Sequence, residues 1–208
     1  MSTSKLATPE LGAVEVDAMD RGSFVLKSAL AVGAVYGSTA VSPFVRRAFA
    51  GAATGDIEIL NFALTLEYLE AEFYRRGLRL GLRGEVRELA QMFGNHELQH
   101  VQALTGTIRK LGGKPAKKPA FTFPMKDSAS FLKLAQTLED TGVAAYNGAA
   151  PQITSKAVLA AAGSIVQNEA RHAAAIRLLT KSNPAPAAFD KALSSAAVLK
   201  AVKPLIKA

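Results

Sequence analysis

Two Glu-x-x-His pairs, Glu97/His100 and Glu169/His172, each follow a lone glutamate at one interval: Glu97 lies 30 residues after Glu67, and Glu169 lies 30 after Glu139. Seven residues beyond each lone glutamate stands a tyrosine, Tyr74 and Tyr146, so the whole cassette recurs at an offset of 72 residues. Glutamate occurs 11 times and histidine 3 times in 208 residues, too rarely for composition alone to produce the repeat. On an α-helix, residues i and i+3 lie about 60° apart around the axis and about 4.5 Å along it, so a carboxylate and an imidazole converge on one ion. Two such helices, facing two more that each contribute a carboxylate, offer Glu67, Glu97, His100, Glu139, Glu169 and His172 to a pair of metal ions. Four carboxylates also balance two divalent cations. Without metal, four acids in an apolar core repel one another and lose hydration, which argues against a purely structural role.

A single Glu-x-x-His on a helix is ordinarily a solvated side-chain pair; the duplicated interval reverses that reading. The faces agree. Leu60, Leu64, Ala71 and Tyr74 share the stripe of Glu67; Ala135, Gly142, Val143 and Tyr146 that of Glu139; Ile165, Ala173 and Ile176 that of Glu169. Carboxylates on apolar stripes point inward, where an unpaired acid is rarely tolerated. Tyr74 and Tyr146 lie about two turns, roughly 10.5 Å, from their own glutamates, so each is expected either to hydrogen-bond a ligand carried by a neighbouring helix or to pack in the core. Glu70 is an additional or substitute ligand candidate, although the repeat favours Glu67, because Gly142 occupies the position equivalent to Glu70. That glycine leaves either space near the metals or a close helix contact. His96 lies 100° round the helix from Glu97 and is expected at the surface or rim.

Helical periodicity runs from residue 54 onward with no alternating strand pattern, which predicts an all-α protein. Helices are expected over about 55–77, 84–111, 128–149 and 153–182, with a short last helix near 195–202. The punctuation comes from Thr54-Gly55-Asp56, Gly112-Gly113, Asp127-Ser128, Asn147-Gly148 with Pro151, and Asn183-Pro184. Short turns join the first pair of helices and the last pair. The longer, Pro-interrupted Gly112–Lys126 segment crosses between them, giving an antiparallel four-helix bundle of two hairpins related by a pseudo-twofold. The bundle spans 54–183, and 184–208 is a C-terminal packing segment in which Phe189, Leu205 and Ile206 are expected to meet the bundle or a neighbour.

The stretch from Asp56 to Tyr74, DIEILNFALTLEYLEAEFY, together with the six filled ligand positions, resembles the ferritin-like domain family that includes the desiccation-related proteins. More distantly, the cassette is similar to bacterioferritin and rubrerythrin. The resemblance covers about residues 54–206 and implies a ferritin-like bundle with a carboxylate-bridged dinuclear site, most often two Fe ions, with Mn as the alternative. It carries Glu67 and Glu139 onto the lone ligand positions, and Glu97/His100 and Glu169/His172 onto the paired motifs. The chain lacks the Cys-x-x-Cys module of rubrerythrin and a repeated Met for haem. The functions that follow are an oxidase or peroxidase reaction with O2 or peroxide, or a stress- or desiccation-associated structural protein whose metals brace the bundle. Iron storage in a cage is less attractive.

Composition bounds the remaining classes. No cysteine is present, which excludes disulfides, thiol catalysis and cysteine metal knuckles. The net charge is +8, but the basic residues are scattered apart from Lys114, Lys117 and Lys118, so no specific nucleic-acid footprint is expected. A homo-oligomer, dimer or larger, is expected. Residues 24–45 form an apolar, small-residue run after Arg21, and Ala48-Phe49-Ala50 offers a cleavage point. Residues 1–50 therefore read as a twin-arginine-like export leader, with an extra helix or a membrane anchor as alternatives. Export to the periplasm or cell envelope is the expected location and the cytoplasm the alternative, with any membrane contact made only through this segment.

Overall fold

The computed structural model describes residues 54–207; the expected leader at 1–50 lies outside them. Four long helices carry the fold: α1 (Thr54–Gly77), α2 (Gly84–Lys110), α3 (Ser128–Ala149) and α4 (Lys156–Leu179). A shorter α5 (Ser195–Val202) follows. The main packing pairs are α1 with α2 and α3 with α4, so two antiparallel hairpins meet across the bundle, as expected. Among the described residues, no helix is long and apolar enough to cross a membrane.

Local chemistry sets the helix ends. Gly112, at φ 79°, closes α2 with Gly113 N–H donating to Ile108 O and Gly112 N–H to Arg109 O, a Schellman motif. Asp127 caps α3 through the Ser130 N–H while the Ser130 hydroxyl answers the Asp127 N–H. At the last long helix the expected limits shift inward. Ala150–Gln152 form a 3-10 turn around Pro151, Ser155 is the N-cap, and α4 stops at Leu179 with Lys181 at φ 56°. α3 ends at Ala149, its expected limit, just past Asn147-Gly148. Gly148 has another purpose: a Cβ there would lie 1.9 Å from Leu193 O, because the chain returning from α4 crosses the helix at this point.

The crossover between hairpins is held along α1. Asn61 bonds the Lys114 carbonyl and the Ala116 N–H, and the buried Glu72 accepts from Arg75, Arg76 and Lys118. Lys118, one of the three clustered lysines, is thus committed to an ion pair. Residues Phe121 and Ile206 form an antiparallel bridge that fastens the C-terminal segment to the crossover. Val198, Val202 and Leu205 bury in the core beside Phe73 and Phe131, whereas Phe189 does not meet the bundle and is 90% exposed.

All the stripe residues named from sequence are buried. They divide into two apolar clusters. One contains Phe73, Tyr74, Phe93, Phe131 and Ile176; the other contains Leu60, Leu64, Ile108, Tyr146 and Ile165. Antiparallel packing puts the start of α1 and the end of α2 in the second cluster, and their opposite ends in the first. The acids and histidines lie in the layer between.

Candidate metal centre

Each of the four long helices sends a candidate ligand glutamate into this layer, and Glu67, Glu97, Glu139 and Glu169 are all fully buried. His172 is 1% exposed, while the side chain of His100 retains 12% of its surface. The i, i+3 spacing on α2 and α4 therefore does what helix geometry dictates: His100 Nδ1 lies 2.9 Å from Glu97 Oε2, and His172 Nδ1 lies 3.8 Å from Glu169 Oε2. Contacts within and between the hairpins complete two groups. His100 Nδ1 is 3.1 Å from both Glu67 Oε2 and Glu169 Oε1; His172 Nδ1 is 3.1 Å from both Glu97 Oε1 and Glu139 Oε2. Glu97 and Glu169 belong to both groups; Glu67 with His100, and Glu139 with His172, each belong to one.

The arrangement fits metal. Ligand bonds of about 2.1 Å at right angles place neighbouring donor atoms about 3 Å apart, the separation found between the imidazole nitrogens and most of the facing oxygens. Glu97 Oε1 and both oxygens of Glu169 are buried without a hydrogen-bond partner. Glu97 Oε1 and Glu169 Oε1 face an imidazole nitrogen at 3.1 Å without hydrogen-bond alignment, and all three oxygens belong to the two shared residues. All-oxygen and imidazole donors with no thiolate suit Mn or Fe as well as Zn.

The tyrosines cross between hairpins. The Tyr74 hydroxyl on α1 donates to Glu139 Oε1 on α3, and the Tyr146 hydroxyl on α3 donates to Glu67 Oε1 on α1 at 2.5 Å. Each fixes one carboxylate oxygen and leaves the other facing the centre. Burial, reinforced by the adjacent Glu139 or Glu67 carboxylate, raises both phenol pKa values well above 10 and keeps the hydroxyls protonated as donors.

Charge in the metal-free layer follows from the same crowding. Burial raises Glu67 to about 8 despite the opposing pull of His100. Burial likewise raises Glu139 and Glu70, with neighbouring carboxylates adding to the effect. Burial also disfavours ionised Glu97 and Glu169, but the facing His100 and His172 imidazoles outweigh it and hold both below the usual range. Both histidines lose hydration, yet the surrounding carboxylates raise them well above 6.5. Two carboxylates and two imidazoliums thus balance, and the other three acids are neutral.

Glu70 was the residue least resolved by spacing. It is 2% exposed, as buried as the ligand candidates around it. A Cβ added at Gly142 would meet Glu70 Oε1 at 3.2 Å and Glu169 Oε2 at 3.7 Å. The room left by Gly142 is therefore occupied by the Glu70 carboxyl and is neither open space nor a bare helix contact. Glu70 is not in either candidate ligand group. His96 is half-buried at the rim, as expected, but its Nδ1 also lies 3.0 Å from His172 Nε2, a contact that the sequence does not reveal. The repeat pairs His96 with Asn168, so no duplicated signal marks it.

A bundle of two helical hairpins with carboxylates and imidazoles buried between them defines a class of proteins, those built to hold metal inside four helices. The ferritin-like domain family matches residues 55–182, more than half of the chain, and the chain belongs to that family. No curated protein sequence matches it.

Proposed function

We propose that the protein binds two iron ions, with manganese as the alternative, and uses them in an oxidase- or peroxidase-type reaction with dioxygen or peroxide. The observation that carries this reading is that Glu97 and Glu169, three of whose oxygens are buried without a well-directed hydrogen bond, are shared by both ligand groups. Glu67 and His100 would hold one ion and Glu139 and His172 the other, with Glu97 and Glu169 between them. Bound as a pair, redox-active metals supply the electrons and Lewis acidity that such a reaction requires. Around them, Tyr74 and Tyr146 orient the terminal carboxylates, and the two apolar clusters exclude bulk water from the sides. The partial exposure of His100 gives a small reactant a way in.

The test adds two equivalents of Fe(II) anaerobically, admits oxygen and follows the optical change. Oxidation at least about tenfold faster than in Glu97→Ala is expected. Two ions held without oxidation above that control would leave only the bracing reading, in which the metals tie the four helices together.

A further inference from the structure

The two halves of the centre are not equivalent, although the repeat that builds them is. The 72-residue offset pairs Phe93 with Ile165 and His96 with Asn168. As a result, only one ligand histidine is enclosed. The His172 ring stacks on Phe93 with centroids 3.8 Å apart and planes at 24°, and His96 lies nearly parallel to it at 5.2 Å and 12°. Its Nδ1 faces Glu97 and Glu139, and its Nε2 meets His96 Nδ1 at 3.0 Å. The ring is held at both nitrogens and on one face. Among the described residues His100 has no such enclosure: it is partly exposed, and its hydrogen bonds all use Nδ1.

We propose that His96 is a positioning residue that locks His172 and makes the Glu139/His172 position the tighter of the two metal positions. The inference rests on the two-ion reading above and extends it to an order of loading. Once Nδ1 of an imidazole gives its lone pair to a metal, the ring proton sits on Nε2 and requires an acceptor. For His172 that acceptor is already in place at His96 Nδ1. For His100 none is in place among the described residues, and the ring is freer to turn away and release its ion. The Glu139/His172 position fills first and exchanges last; the Glu67/His100 position, open at the rim, exchanges readily.

Co(II) added to the metal-free full chain tests this by calorimetry together with visible absorption. The wild type should bind two ions in resolved steps. His96→Ala should weaken the tighter step by about 10- to 100-fold and leave the weaker step within about twofold, while Asn168→Ala alters neither. His96→Asn places Oδ1 where Nδ1 stood and should restore most of the loss, which a general packing defect would not allow. Proton NMR of the Co(II)-loaded protein provides a second readout. One ring N–H should persist in D2O in the wild type and exchange rapidly in His96→Ala. Two equal steps in the wild type, or unchanged steps and exchange in His96→Ala, would overturn the proposal while leaving two-ion binding intact. Equal weakening of both steps would also overturn it. Fewer than two ions in the wild type would remove the two-ion reading as well. If His96→Ala does not fold, the comparison of His96→Asn with wild type decides, with near-wild-type steps expected and loss of the tight step contradicting the acceptor role.

Discussion

Two equivalents of a divalent ion added to the metal-free protein at pH 7 should release about four protons, one each from His100, His172, Glu67 and Glu139. Burial and the neighbouring carboxylates keep Glu67 and Glu139 protonated, and the carboxylates around the histidines keep both imidazoles charged. Two divalent cations replacing four protons leave the net charge of the layer unchanged, so the low-dielectric core accepts the exchange without acquiring net charge. Calorimetry in buffers of different ionisation enthalpy measures the number directly, and release of fewer than about two protons would contradict this charge assignment.

The same shifts fix the sign of the pH dependence. Glu67, raised from 4.5 to about 8, contributes stability that is complete below pH 4.5 and lost as pH rises towards 8. Glu70 and Glu139 act in the same sense, and the raised histidines add a further loss above 6.5. Glu97 and Glu169 act oppositely: lowered by their imidazolium partners, they contribute stability above 4.5 that is lost as pH falls. The metal-free protein should therefore be most stable at about pH 5 and weaken towards pH 8, with Glu67 alone accounting for a loss on the order of 4 kcal/mol. Metal should abolish most of that decline, because it occupies the sites that the protons vacate, and should raise the melting temperature more at pH 8 than at pH 5. A metal-free protein that is more stable at pH 8 than at pH 5 would refute the assignment.

The second large effect separates shared from unshared ligands. Glu169→Ala and Glu97→Ala should each abolish tight binding of both ions, because each residue serves both groups. Glu67→Ala should cost one ion, leaving Glu97, Glu139, Glu169 and His172 around the other, and Glu139→Ala should cost the opposite one. Stability divides differently. Removing Glu97 leaves two buried imidazoliums facing one ionised carboxylate, and breaking a buried charge balance costs about 3–5 kcal/mol in the metal-free protein. Glu70→Gln replaces an acid that is already neutral with a group of nearly the same shape and should change metal-free stability by less than about 1 kcal/mol. Equilibrium dialysis and chemical denaturation read the two properties separately. Loss of one ion only in Glu169→Ala would contradict its shared position.

The duplicated cassette made the layer legible because i, i+3 spacing on a helix leaves little freedom: once four helices form with apolar stripes, Glu67, Glu97, Glu139 and Glu169 must face inward. Helix limits followed from glycine and N-cap chemistry at Gly112 and Asp127. What stayed hidden depends on how one helix is rotated against another. The contact between His96 and His172 joins α2 to α4 across 76 residues, and helical phase by itself placed His96 only at the rim. Asp56 looked like the opening of its own helix, yet it is buried and accepts from Thr154 and Ser155 at the entrance to α4. Asn147-Gly148 marked the approach to the end of α3, but that the missing side chain of Gly148 also makes room for the Leu193 backbone depends on where the later chain returns. Phe189 is expected to meet the bundle or a neighbour, and the bundle does not cover it.

Anomalous diffraction from crystals of the metal-loaded protein, recorded on both sides of the iron edge, tests two-ion binding most directly. Two peaks are expected, one among Glu67, Glu97, His100 and Glu169 and the other among Glu97, Glu139, Glu169 and His172, with Glu97 and Glu169 within bonding distance of both. A single peak, or two peaks outside these six side chains, would contradict a two-ion centre.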